Sequence, residues 1–96
     1  MTIWPHAPVR LQIVSLLAAA AEAEFSFVRD TVQVSDSVLS KNASALEAAG
    51  YVEIIKGHVG KRPRTWLKLT AQGRVAFTEY VETLRDIVGR PLTQDN

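Results

Sequence analysis

No cysteine occurs in this 96-residue chain, which excludes a disulfide framework, thiolate zinc sites, a CxxC redox pair and a cysteine nucleophile. Histidine is nearly as scarce. His6 and His58 lie far apart in sequence and are too few to build a histidine metal cage. No apolar run approaches the ~20 residues needed to cross a bilayer. The longest candidate, Ile13 to Ala21 (IVSLLAAAA), is followed by an A-x-A tripeptide at Ala21-Glu22-Ala23. Pro5, Pro8 and a single basic residue, Arg10, make a poor leader for it, so a cytoplasmic protein with no membrane partner is expected.

One further absence is local. Residues 54–78 contain no Asp or Glu, yet hold Lys56, Lys61, Arg62, Arg64, Lys68 and Arg74, six of the eleven basic residues. The remainder therefore sets five cations against all ten acidic residues, although the whole chain carries only +1. Such a sorted charge gives a small protein an oriented field, for which phosphate is the natural complement. A merely solvated basic face is the plainer alternative.

What is present fits one small domain spanning residues 1–96, with its core over about residues 5–88 and a tail at 89–96. At 47% hydrophobic and 22% charged residues the composition is that of an ordinary globular chain, and two independent cores would be too thin. Pro8 suits a helix first turn, and Leu11, Ile13, Val14 and Leu17 make a buried stripe in a helix running to about Ala21. After a short Ala/Glu link, Ser26 is the expected cap of a second helix with Phe27 anchored inward. Gln33-Val34-Ser35 forms the turn, and Ser35 caps a third helix with Asp36 in its positive first turn. Leu39, Ala43 and Leu46 face the core, and Gly50 is the left-handed stop. Two helices joined by a short turn describe a helix-turn-helix.

The period then changes. Tyr51 to Lys56 is rich in aromatic and β-branched residues, Gly57, Gly60 and Pro63 punctuate a loop, and Arg64 to Leu69 alternates. Thr65, Leu67 and Leu69 share one face of this hairpin; Arg64, Trp66 and Lys68 share the other. Thr70 caps a last helix to about Val88, whose stripe of Phe77, Tyr80, Val81, Leu84, Ile87 and Val88 is too long for the core to cover. A second copy of the chain covers it, or the Ile3-Trp4 segment folds over it, or both. The fold class is thus mainly α with a small β-hairpin (α+β), a winged helix-turn-helix with a C-terminal dimerisation helix.

On the third helix, Ser37, Ser40, Lys41 and Ser44 point away from the core. Short hydroxyls with one long cation suit a DNA major groove, though they are also common on any exposed helix. The hairpin residues Lys56, Lys61, Arg62 and Arg64 suit a phosphate backbone or a narrow minor groove. Candidate DNA contacts are therefore Ser35, Ser37, Ser40, Lys41 and Ser44 on the helix with those four cations on the wing. Trp4, Phe77, Tyr80, Val81, Leu84, Ile87 and Val88 are the candidate dimer interface. Trp66 is read as a core or interface residue, His58 as solvent-facing, and His6 as capping or packing at the first helix.

Catalytic parts are missing. The serines at 35–44 lack an elbow and a nearby base, and the carboxylates fall at helix-surface spacing. Gly57-His58-Val59-Gly60-Lys61 lacks the full phosphate-loop spacing and the helix that should follow. No enzyme, cofactor or metal site is expected.

Arg10-Leu11 before an apolar helix, Leu39-Ser40-Lys41, Leu46-Glu47, Ala49-Gly50-Tyr51-Val52, Gly60-Lys61-Arg62-Pro63-Arg64-Thr65 and Leu69-Thr70-x-x-Gly73-Arg74 together resemble small winged-helix transcriptional regulators of the MarR/ArsR-like group. The likeness covers about residues 5–88. It implies a dimeric DNA-binding protein that usually represses, with base contacts from Ser37, Ser40 and Lys41 and backbone contacts from the wing arginines. Asn42 and Ala43 stand where such regulators often carry His and Leu, and the metal-sensing cysteines are absent. Metal-responsive regulation is therefore not implied, and no residues for a small-molecule effector are identifiable. A protein–protein interaction module is the alternative function, and a ligand sensor with a cavity between dimer helices is a third.

Overall fold

The computed structural model describes the backbone of residues 8–93 and the side chains of residues 8–87. Helix α1 (Pro8–Ala20) buries Ile13, Val14 and Leu17 completely. It ends at Ala21, whose left-handed φ of 69° reverses the chain while its N–H donates to the Leu17 carbonyl (2.7 Å). The expected Ala/Glu link is instead a short strand, β1 (Glu22–Glu24). Three residues with no β-branched side chain carry no strand signal of their own; β1 exists because β3 offers it an edge.

Helix α2 (Phe25–Val32) starts directly after Glu24, which makes no side-chain cap. This corrects two expectations. Ser26 lies inside the helix, and the core-facing residues become Phe25, Val28 and Val32, leaving Phe27 55% exposed. The helix begins two residues earlier than a Ser26 cap implies, and at ~100° per residue Phe27 stands about 200° around the helix from the core-packed Phe25. Gln33, at φ 64°, closes the helix, its N–H donating to the Arg29 carbonyl (2.8 Å). Helix α3 (Asp36–Ala48) follows as expected: the Val38 N–H donates to Ser35 Oγ (3.2 Å), and Leu39, Ala43 and Leu46 are buried. Gly50 supplies the left-handed stop at φ 84°.

Strands β2 (Val52–Val59) and β3 (Arg62–Leu69) pair along their whole length around a two-residue turn at Gly60-Lys61. The hairpin is longer than its punctuation suggests, because Gly57 and Pro63 are strand residues. Pro63 is tolerated since β1 flanks β3 only at Trp66–Lys68, which leaves an edge position beside it. Gly57 leaves room for an aromatic ring: a Cβ there would lie 3.1 Å from the Trp66 ring. The sheet order is β1-β3-β2, all antiparallel, with Leu67 and Leu69 facing the helices.

Helix α4 (Ala71–Thr93) is capped by Thr70, whose Oγ1 accepts the Gly73 N–H (2.9 Å) and donates to the Gly50 carbonyl (2.7 Å). It runs past the expected end at Val88. Phe77 and Tyr80 pack against the core, whereas Val75, Leu84 and Ile87 are exposed. Trp4 and the Val88 side chain lie outside the described residues. No described helix is long and apolar enough to cross a membrane.

Candidate nucleic-acid interface

The buried face of α3 dictates what its other face presents. With Leu39, Ala43 and Leu46 packed inward, Ser37, Ser40, Lys41 and Ser44 stand exposed, and Ser35 is exposed at the cap. The helix is held at both its start and its middle. Arg29 Nη1 donates to Asp36 (2.8 Å) while its Nε donates to Asp30 (2.9 Å). Hydrogen bonds and charge from these two carboxylates, Asp30 first, push the Arg29 guanidinium above its ordinary pKa. Further along, Arg10 Nε donates to Asn42 Oδ1 (3.0 Å), and Asn42 Nδ2 donates back to the Val38 carbonyl (2.8 Å). This chain ties α1 to α3. Asp36 is thus engaged with Arg29.

Strand alternation sorts the hairpin. Lys56 and its cross-strand partner Thr65 lie on the helix-facing side with Ile54 and Leu67, while Arg62, Arg64, Trp66 and Lys68 lie on the outer side. Between α3 and the wing is a cleft of about 510 Å³, bordered by Ser40, Ser44 and Glu47 on one wall and Lys56 and Thr65 on the other. Two of the candidate helix contacts, Ser40 and Ser44, and one of the wing cations, Lys56, therefore border one space. Lys56, Lys61 and Arg62 are exposed there and at the tip.

Arg64 is placed differently. It is half-buried, and its Nη1 donates to Glu24 Oε2 at the end of β1. Lys68, at the hairpin root, has Glu22 and Glu53 as its cross-strand neighbours. Sequence reasoning missed Glu24, because its strand had no local signal and its partner lies forty residues away. It also missed the Arg10–Asn42 tie, for which only the departure at Asn42 was a clue. Among the described residues no group of three or more His, Asp or Glu could hold a metal ion.

A profile of the winged helix DNA-binding domain matches residues 9–88. The chain belongs to that family. Among its relatives, the protein MJ0432 of Methanocaldococcus jannaschii is 34% identical over 73 residues, 76% of this chain and 79% of that one. Among solved structures, a transcriptional regulator homologue from Pyrococcus horikoshii superposes with a TM-score of 0.80 at 27% identity, covering 85% of this chain and 81% of its own. YusO of Bacillus subtilis superposes at 0.77 and 24% identity, and there the chain spans 60% of the neighbour's length. The expected kinship with small winged-helix, DNA-binding regulators is borne out. In this winged helix α2, α3 and the turn between them form the helix-turn-helix, and β2 and β3 form the wing.

Proposed function

We propose that this winged-helix domain works in the cytoplasm as a homodimer that occupies a pseudo-palindromic operator and represses transcription. In this reading α3 enters the major groove with Ser37, Ser40, Lys41 and Ser44 toward base edges, and Ser35 near the backbone. Lys56, Lys61 and Arg62 take phosphates or the adjacent minor groove, and Arg64 joins them when the wing is seated. The exposed apolar residues of α4 pair two copies, so half-sites stand about one helical turn, or a multiple, apart.

The observation that carries the reading is the shared cleft. Ser40 and Ser44 of the helix face Lys56 of the hairpin across one opening, and the exposed Lys61 and Arg62 extend the same hairpin to its tip, an arrangement that suits binding to one duplex. The test is a binding titration across salt concentrations. Arg62→Ala should weaken binding to every duplex and flatten the plot of log affinity against log salt by about 0.9. Lys41→Ala should change which bases are preferred. Binding that ignores salt, or an Arg62 variant with the wild-type slope, would refute this division of labour and favour a protein-docking role for the same surface.

A further inference from the structure

The acid-free stretch at residues 54–78 does not stay acid-free in three dimensions. Strand β1 carries two carboxylates to the flank of β3: Glu22 beside Lys68, and Glu24 onto Arg64. The hairpin root is thereby neutralised, and β1 ends at Glu24. Beyond that point no described ion pair engages Lys56, Lys61 or Arg62. Arg64 stands on the boundary, on the same sheet face as Arg62 and two residues from it.

Three features make the Arg64–Glu24 pair a reversible restraint. Both side chains are about one-third exposed, at 35% and 32%, so the pair belongs with partly solvated ion pairs whose strength is modest. The pair borders an open cleft of about 510 Å³, lined also by Ser26, Arg62 and Pro63, which leaves the guanidinium space to swing. Finally, a phosphate group offers arginine the same planar, two-oxygen recognition that a carboxylate does, so one can replace the other.

We propose that Glu24 is a specificity-determining residue: it holds Arg64 away from DNA in loose complexes and releases it to phosphate only when the wing is fully seated. This rests on the DNA-binding reading above. Non-specific affinity depends on the number of phosphates neutralised, so withholding one arginine lowers it selectively. A seated wing brings phosphate to Arg64 at fixed distance and recovers the contact.

The experiment is a fluorescence titration of the full chain against a random-sequence duplex over a range of salt. Glu24→Gln should raise affinity about fivefold, the equivalent of one exposed ion pair, and steepen the salt plot by about 0.9. Glu53→Gln, which removes a carboxylate two strands away, controls for overall charge and should change affinity less than about twofold. Arg64→Gln alone should leave this non-specific affinity nearly unchanged, yet it should abolish the gain when combined with Glu24→Gln. Glu24→Ala should reproduce the gain, and melting curves verify that each variant is folded. Equal gains from Glu24→Gln and Glu53→Gln, or a gain that persists without Arg64, would overturn the proposal. So would an Arg64→Gln variant whose salt plot is already flattened, since Arg64 would then rest on phosphate from the outset. Failure of the wild-type chain to bind duplex at low salt would instead sink the DNA-binding reading itself.

Discussion

Gly73 is buried in the first turn of α4, where a methyl group would sit 2.2 Å from the Tyr51 carbonyl oxygen and 2.8 Å from Leu69 Cδ1. Neither the strand-start backbone nor the buried leucine can retreat, because Tyr51 O also accepts the Thr70 N–H (3.0 Å). Gly73→Ala should therefore destabilise the fold by at least about 2 kcal/mol, visible as a melting temperature lower by roughly 10 °C. An unchanged melting curve would mean that α4 does not approach this closely. Thr70 explains the rest of the motif: its hydroxyl receives the Gly73 N–H and reaches the Gly50 carbonyl, joining the stop of one helix to the start of another. Leu69-Thr70-x-x-Gly73 was legible as a capped helix start. The need for glycine at its third helical residue was not, since the obstructing atom lies on another element.

Elements with their own signals formed where the sequence placed them. Helix α3 has a cap, a first-turn acid, a stripe and a glycine stop, all within sixteen residues (Ser35 to Gly50). Strand β1 and the start of α2 have none of these. Ala21 and Gln33 turn the chain at positive φ without being glycine, so neither turn announces itself, and the inward aromatic is Phe25 rather than Phe27. What orients α3 is likewise non-local. Asn42→Ala removes the acceptor for Arg10 and should cost about 1 kcal/mol. Arg10→Ala should cost a similar amount, and the double variant should cost little more than either one. Additive losses in such a double-mutant cycle would show that the two side chains do not act as a unit.

The whole molecule is elongated. Its radius of gyration is 15.4 Å and its long axis 60 Å, against roughly 12–13 Å for a compact chain of this length. Helix α4, with 23 residues, is about 35 Å long and outruns the core it starts from. Leu84 and Ile87 on its distal half are 42% and 57% exposed. Paired across a two-fold axis they would leave water, which is the physical case for a dimer. Leu84→Glu with Ile87→Glu should give a monomer by light scattering, with melting of the winged helix itself little changed. A double variant with the wild-type mass would refute pairing through this face of α4.

The helix-turn-helix, the hairpin and the order of helices and strands are encoded locally, because caps, periodicity and glycine stops act over a few neighbouring residues. The sequence also marks the cationic wing, since charge needs no folding to be counted. Which cations remain available depends on how the elements pack. A three-residue strand without local preference lies beside β3 because the core brings it there, and that placement engages Arg64 while leaving Arg62 open. Ion pairs between residues forty positions apart depend on packing, and no local pattern encodes them.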